Sequence, residues 1–537
     1  MDWNRAETFG DLVDLAVTAF GDKVALRDEH RALTYRQFAG EIERIAAALV
    51  SYGLRPGARV AILSQNRVEV PVLLGLCRYG FVPVPLNWRL PPEDLGSLLQ
   101  DCEPAAFFVE ERYLGIAAQL PHAGVGLTIA IDGNASLPHR YADLLTQSLP
   151  SPASRAQAED AACIIYTSGT TSAPKGAVLS HAGIVQCCQD CARAAIGFTP
   201  DDLTLMVMPL FHVGGIWYYM FPSIFSGATT LLQERFEPEQ VVRAFEAEPI
   251  SNIHVVPTML ADLLNRPAFV QAATRLRLVV YAGSSMPGEL LNRAMATLGR
   301  CEFAQAYGST EAGSITALSP RDHRLAVSDP AHRRLLRSCG KPLPVTEVRI
   351  EQESASIGER HPVGEIQVRS AKLMSGYWRR PEATADRFTE DGWFRTGDLG
   401  QFDDEGYLYI VDRKNDMVIS GGENIFPFEV EEVLYSHPAV EEASVFGIPD
   451  TRWVERLVAA VVLRPDVEVS EADIIAYARQ HLPGYKTPKT VHIVQELPKS
   501  AVGKILRKTL RERFNASDTD TGSAEQGQAV PPRRLVN

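Results

Sequence analysis

Apolar residues at Phe38, Ile42, Ile45 and Leu49 recur on one face of a 3.6-residue repeat, and Thr34 with Gln37 three positions on makes a capping box. A helix opening at Thr34 is therefore the first element the chain predicts. Further on, short β-branched runs alternate with helical patterns. SNIHVVP (251–257) precedes MLADLLNR, LRLVVYAGSS (276–285) precedes PGELLNRAMATLG, and EFAQAYGSTE (302–311) is a strand ending in polar residues. ACIIYTS (162–168) reads as another buried strand. This alternation predicts an α/β fold, a large N-terminal domain of mostly parallel sheets with flanking helices and with ligands gathered at the carboxyl ends of the strands.

After residue 412 the texture changes to a small α+β unit of about 100 residues, within the usual size of a domain. PFEVEEVLYSHP, SEADIIAYARQHL (with Ser470 as cap) and VGKILRKTLRERF read as helices, and ASVFGIPD, LVAAVVLRP and VHIVQEL as strands. From residue 515 the hydrophobic pattern stops, which predicts a disordered tail over 515–537. The expected organisation is thus 1–412, 413–514 and 515–537.

One stretch, LTLMVMPLFHVGGIWYYMFPSIFSGATTLL (203–232), carries no charge with histidine neutral and exceeds the roughly 20 residues that cross a bilayer. Pro209, Pro222 and scattered glycines interrupt it, and both ends look like strands, so a buried strand, helix and strand is expected and no integral membrane span. Cys187, Cys188 and Cys191 fall with Ile184 on one helical face, with no second ligand pair at zinc-like spacing, and are read as apolar packing.

The bulk numbers narrow the class. A chain of 537 residues exceeds the roughly 250–300 at which single cores stop growing, so at least two domains are needed. A net charge of -13 leaves no basic surface for nucleic acid, and no nucleic-acid partner is expected. Eight cysteines without regular pairing suit a reducing compartment, and MDWNRAETFGD has no apolar signal core, so a cytoplasmic location is expected.

Candidate chemistry begins with YTSGTTSAPKG (166–176), a run of hydroxyl and backbone N–H donors with one cation, the groups a polyphosphate requires. It is not a Walker loop: Pro174 precedes Lys175 and Gly176 follows it, so the glycine before the lysine and the magnesium-binding hydroxyl after it are both missing. The loop resembles the phosphate-binding signature of the adenylate-forming superfamily, which includes acyl- and aryl-CoA synthetases, luciferases and the adenylation domains of peptide synthetases. Ser172 stands where glycine is usual. Five further segments match in order: PLFHVGG (209–215), YGSTE (307–311), FRTGDL (394–399), DRKNDMVISGGENIFPFEVE (412–431) and PKSAVGKILRKTLR (498–511). The resemblance runs to about residue 514.

That resemblance implies an AMP-forming acyl-CoA ligase that uses ATP, Mg2+ and coenzyme A. A small-molecule carboxylic acid attacks ATP to give an acyl-adenylate and pyrophosphate, and the acyl group then passes to the CoA thiol. Lys504 would bridge the carboxylate and the α-phosphate. Thr167, Ser168, Gly169, Thr170, Thr171 and Lys175 would hold the outer phosphates, and Thr310 with Glu311 would position phosphate and magnesium. Tyr307 and Gly308 would meet the adenine, Gly283, Ser284 and Ser285 would line the nucleotide, and Asp398 with Arg413 would take the ribose hydroxyls. His212 falls at the gate of the acyl pocket, with Val213, Gly214, Trp217, Val256, Ala282 and Ala306 around it. No acidic residue in PLFHVGGIW would meet an amino acid's ammonium, which points to a fatty, alicyclic or aromatic acid. Gly421 and Gly422 would admit the pantetheine arm, with Trp453, Tyr485 and Lys486 as further CoA contacts. The small domain would rotate about Asn415, where aspartate or lysine is commoner. Alternatives are an enzyme that loads a separate carrier protein, a luciferase-like oxygenase, and a non-catalytic nucleotide or acyl-CoA sensor, the last prompted by Ser172, Asn415 and Val502. A homodimer is left open.

Overall fold

The computed structural model describes residues 3–120, 125–133, 137–153, 155–167, 174–351, 361–465, 467–500 and 503–522. The chain forms two compact units, one of Met1–Met286, Leu290–Thr396 and Gln401–Tyr409, the other of Pro287–Glu289, Gly397–Gly400 and Ile410–Asn537. The second unit thus starts in sequence close to the change of texture at 412 and also takes in two short segments from earlier in the chain.

The first unit opens as the pattern predicts. Helix Tyr35–Ser51 starts at a capping box in which Thr34 accepts from the Gln37 amide and Gln37 accepts from the Thr34 amide, and it buries Phe38, Ile42, Ile45 and Leu49. The 203–232 stretch is a strand Leu203–Met206, a run of short helical turns over Val213–Gly215, Ile216–Met220 and Phe221–Phe225, and a strand Thr229–Leu232. Among the described residues no helix is long and apolar enough to cross a membrane.

Both strands enter a nine-stranded sheet. Its central members Thr229–Leu232, Leu203–Met206, Asn252–Val255, Leu278–Ala282 and Glu302–Ser309 run parallel to their neighbours, and Gly313–Leu318 turns back antiparallel at one side. A second, all-parallel sheet is built from Val82–Pro85, Arg59–Leu63, Ala106–Val109 and Leu127–Ala130. Three antiparallel strands, Gly376–Tyr377, Lys175–Ser180 and Ala161–Thr167, make a third. Cys187, Cys188 and Cys191 are buried, the first two on helix His181–Asp190 and Cys191 at the start of the wider turn that follows.

The second unit is a mixed sheet with Val454–Leu463 paired to Val440–Asp450 on one side and to Thr490–Ile493 on the other. Helices Pro427–Tyr435 and Glu471–His481 accompany it, the latter capped by Ser470 as expected. Two readings of its C-terminal end are corrected. The last helix is Arg507–Gly522, so it starts after Lys504 and runs on past residue 515. Gly503 takes φ +77, a left-handed conformation incompatible with helix continuation, and the Ser500 amide donates to the Lys504 carbonyl at 2.7 Å to close a tight turn ahead of the helix. Residues 523–537 lie outside the described residues.

Candidate active site

The phosphate loop is described at its two ends. Thr167 and Lys175 oppose each other as the last pair of an antiparallel ladder, and Thr167 Oγ1 donates to the Lys175 carbonyl at 3.4 Å. Ser168, Gly169, Thr170, Thr171 and Ser172 lie outside the described residues. The ladder fixes where the loop starts and ends, and its other edge carries the strand Gly376–Tyr377, with Tyr377 opposite Ala177.

That third strand brings a residue the sequence reading missed. The Tyr377 hydroxyl donates to Glu311 Oε1 at 3.0 Å, Thr167 Oγ1 reaches the same oxygen at 3.3 Å, and the Lys175 ammonium stands 5.4 Å from the Tyr377 ring centroid. Burial, with the Glu311 carboxylate beside it, raises the Tyr377 hydroxyl above its ordinary range and keeps it a donor. One side chain thus meets the loop's lysine with its ring and, 66 residues back in sequence, the carboxylate of YGSTE with its hydroxyl. The signal available was the Gly-Tyr-Trp run before RRPE, which reads as an ordinary strand end until its neighbours are known.

Glu311 owes its place to a hairpin. Glu302–Ser309 and Gly313–Leu318 are antiparallel, with Tyr307 opposite Thr316, a bulge after it, and Ser309 opposite Gly313. Thr310 and Glu311 occupy the turn, held by Ala312 N–H donating to Ser309 Oγ at 3.1 Å and by the Tyr218 hydroxyl donating to the Ser309 carbonyl at 2.5 Å. A side chain at Gly308 would overlap the Gly313 carbonyl, and Gly313 itself takes φ +72, so both glycines are dictated by the turn. Behind the turn a narrow cavity is lined by Thr310, Gly313, Cys187, Val213, Trp217 and Lys372. Lys372 lies buried there with Nζ 2.6 Å from the equally buried Asp190 carboxylate.

The acyl-pocket candidates separate into two sets. In-register pairing places Ala282 beside Ala306 on one face of the large sheet, with Val256 at the next position of its own neighbouring strand. Gly214 joins this set: a Cβ there would meet His212 Nδ1 at 3.3 Å and the His254 ring at 3.8 Å, both residues of the same unit. Val213 and Trp217 instead turn toward the cavity behind Thr310, and Trp217 stacks on Phe221 at 4.8 Å. Trp217 lies within the wide turn Ile216–Met220, whose period departs from 3.6 residues, and Val213 opens the short helical turn just before it. His212 caps this segment, its Nδ1 accepting from the Gly214 amide at 3.2 Å, which leaves the neutral ring's proton on Nε2. Gly283, Ser284 and Ser285 follow the carboxyl end of Leu278–Ala282 as an exposed loop, Gly283 at φ +89.

Asp398 and Arg413 fall in the second unit, where Arg413 Nε lies 3.6 Å from Asp398 Oδ1 and the Lys414 amide donates to the Gly397 carbonyl. Asn415 is exposed in the turn that follows, and its carbonyl accepts from Arg511 at 3.4 Å. Beneath the turn Arg507 joins Glu431 at 2.7 Å, Asp416 at 3.1 Å and Asp412 at 3.4 Å. Burial pushes the Asp412 and Glu431 carboxyls up despite that arginine. The paired glycines differ: Gly421 takes φ +62 with the Trp453 ring where a Cβ would point, whereas Gly422, at φ +87, faces open space. Lys486 is engaged by Glu429 at 2.6 Å, and Tyr485 is exposed. Among the described residues one group of three metal-type ligands occurs, the largely exposed Glu29, His30 and Glu234, away from the residues above in sequence and in partners.

Comparison with known proteins places the chain in a family. Residues 13–378 match the family model of AMP-binding enzymes, and residues 429–504 match that of the AMP-binding enzyme C-terminal domain. A feruloyl-CoA synthase from an Amycolatopsis species is 34% identical over 492 residues, 91% of this chain and 96% of that one. The fatty acid–[acyl-carrier-protein] ligase ScoC of Streptomyces coeruleorubidus is 34% identical, over 90% of this chain and 92% of its own. The crystal structure of ATP-bound MatB from Rhodopseudomonas palustris superposes with a TM-score of 0.84 at 28% identity, covering 94% of this chain and 99% of that one. With matching models over both of its units and relatives along nine-tenths of its length, the chain belongs to the AMP-binding, adenylate-forming enzyme family.

Proposed function

We propose that the protein is an AMP-forming acyl-CoA ligase acting on a fatty, alicyclic or aromatic acid, with the residues in the following roles. The observation that carries the reading is the Lys175–Tyr377–Glu311–Thr167 cluster, which sets a cation, hydroxyl donors and a carboxylate at the base of a loop rich in phosphate-binding groups. In the first half-reaction a carboxylate oxygen of the acid bonds to the α-phosphorus of ATP and the bond to the β-phosphate oxygen breaks, releasing pyrophosphate. Both reactants are anions, so the barrier falls through positioning and cations. Lys504 holds the carboxylate against the α-phosphate, and Lys175 with the hydroxyls of Thr167, Thr170 and Thr171 holds the departing phosphates. Tyr307 and the Gly283–Ser285 loop meet the base, and Asp398 accepts the ribose hydroxyls with Arg413 beside it.

Glu311 has one oxygen engaged by two hydroxyls, and a single carboxylate completed by phosphate oxygens suits magnesium, which when bound neutralises the phosphate charge. In the second half-reaction the CoA sulfur bonds to the acyl carbon and AMP leaves with the electron pair. Gly422, with open space where a side chain would stand, gives the pantetheine arm its passage, while Gly421 serves the packing of Trp453. The similarity to a carrier-protein ligase supports a second reading of this step, transfer to the phosphopantetheine of a separate carrier protein.

Lys504→Ala separates the steps. The variant should lose pyrophosphate release from acid and MgATP by at least about a hundredfold, the scale of one lost transition-state charge contact. It should still convert a synthetic acyl-adenylate and CoA to thioester. Full adenylation by the variant would overturn the assignment of the lysine.

A further inference from the structure

His254 is 4% exposed, and neither of its ring nitrogens has a hydrogen-bond partner among the described residues. Buried polar groups are normally paired, so an imidazole with both nitrogens unused requires an explanation. Its position supplies one. On the strand Asn252–Val255 it pairs in register with Val280, which pairs with Ala304. Side chains two residues apart on a strand share a face. His254, Val280 and Ala304 therefore form the row directly below Val256, Ala282 and Ala306, about 6.6 Å deeper along the strands. In that lower row His254 is the one polar side chain.

The face opposite is small and close. Gly214 presents only hydrogen toward both His212 and His254, and the Tyr219 ring lies 5.1 Å from the His254 ring with its own hydroxyl committed to Asn252. The neighbouring positions 304 and 306 carry only methyl side chains. Among the described residues no charged group shifts the ring, and burial lowers it to about 4, so it is neutral at physiological pH and offers one N–H donor and one acceptor.

We propose that His254 is the floor of the acyl pocket and reads a neutral hydrogen-bonding group, a hydroxyl or carbonyl, on the tail of the acid, so that the preferred substrate is a hydroxy- or oxo-substituted acid and not an all-hydrocarbon one. This rests on the ligase reading and on Val256, Ala282 and Ala306 as the pocket wall. An anionic tail is disfavoured, because the neutral imidazole brings no counter-charge.

The test uses matched acids, cinnamate against para-hydroxycinnamate and octanoate against its terminal-hydroxy derivative, with pyrophosphate release giving kcat/KM for wild type, His254→Leu and His254→Gln. Wild type should favour a substituted member by roughly tenfold or more, as a site built to hydrogen-bond does. His254→Leu should lower kcat/KM for that member by about tenfold, leave its parent within about twofold, and so erase or invert the preference, while His254→Gln retains part of it. Equal losses on both members of each pair, loss of the folded state in both variants by thermal denaturation, or a wild type indifferent to the substituents would overturn the proposal and leave the ligase reading standing. A wild type silent on every acid would instead refute the ligase reading, and this proposal with it.

Discussion

Tyr377→Phe deletes one oxygen and keeps the ring. In the native arrangement that oxygen donates to the Glu311 carboxylate at 3.0 Å, and the ring lies beneath the Lys175 ammonium. A hydrogen bond to a charged acceptor contributes about 1.5–3 kcal/mol. Thr167 Oγ1 remains at 3.3 Å and can turn its one proton from the Lys175 carbonyl to Glu311, so the lower half of that range applies. Each 1.4 kcal/mol is a factor of ten, which puts the loss in kcat/KM for MgATP at roughly tenfold to thirtyfold. The effect should appear as a weaker response to magnesium, with half-saturation at higher free Mg2+, because the hydroxyl positions the carboxylate and touches no reacting atom. The acid's KM at saturating MgATP should barely move. Tyr377→Leu also removes the ring face and should lose a further factor of about two to five, the worth of an exposed cation–π contact. The assay is pyrophosphate release across a magnesium titration, with thermal denaturation to confirm folding. An unchanged magnesium response in a folded, active Tyr377→Phe protein would refute the linkage between the loop and YGSTE.

Three further perturbations follow from the packing. Arg507→Met leaves the buried Asp412 and Glu431 carboxyls without their cation, a loss of about 3–5 kcal/mol at neutral pH that thermal denaturation should register. Both carboxyls already titrate above their ordinary range through burial, so their stabilisation is complete below the unfolded values near 4 and falls as pH rises through the folded ones; the variant's deficit should therefore shrink toward about pH 5 and be largest near pH 8. Lys372→Met strands the Asp190 carboxylate beside the cavity behind Thr310 and should cost about 3–5 kcal/mol, most of it recovered in the double variant with Asp190→Leu, as urea midpoints will show. Gly308→Ala forces a Cβ onto the Gly313 carbonyl, so the turn carrying Thr310 and Glu311 must open, and ATP-dependent pyrophosphate release should fall by about a hundredfold or more, the scale of a 1 Å misplacement.

What could be read in the chain beforehand was mostly local. The capping box at Thr34, the strand–helix alternation from Ser251 to Glu311, and the cap at Ser470 each rest on residues within a few positions of one another, and each stands in the structure. What escaped depends on register or on a break in period. The spacing around Lys504 reads as helix, but the left-handed Gly503 ends that continuity, and residues beyond 515 extend the helix without an apolar stripe to announce it. Trp217 lies within a π-type turn, which no 3.6-residue template anticipates. Tyr377 and His254 carried no motif at all. Their positions follow from strand pairing, Tyr377 opposite Ala177 and His254 opposite Val280, and pairing partners are not written in either strand alone.

The central claim, activation of a carboxylic acid through its adenylate, is tested most directly by product stoichiometry. The unmodified protein is incubated with MgATP, CoA and a panel of short, medium, long, aromatic and alicyclic acids, and nucleotides, pyrophosphate and thioester are quantified together. On an accepted acid the account predicts AMP, pyrophosphate and acyl-CoA in equal amounts, with acyl-adenylate on the enzyme when CoA is withheld. ADP with orthophosphate as the nucleotide products, or no ATP turnover on any acid, would contradict it.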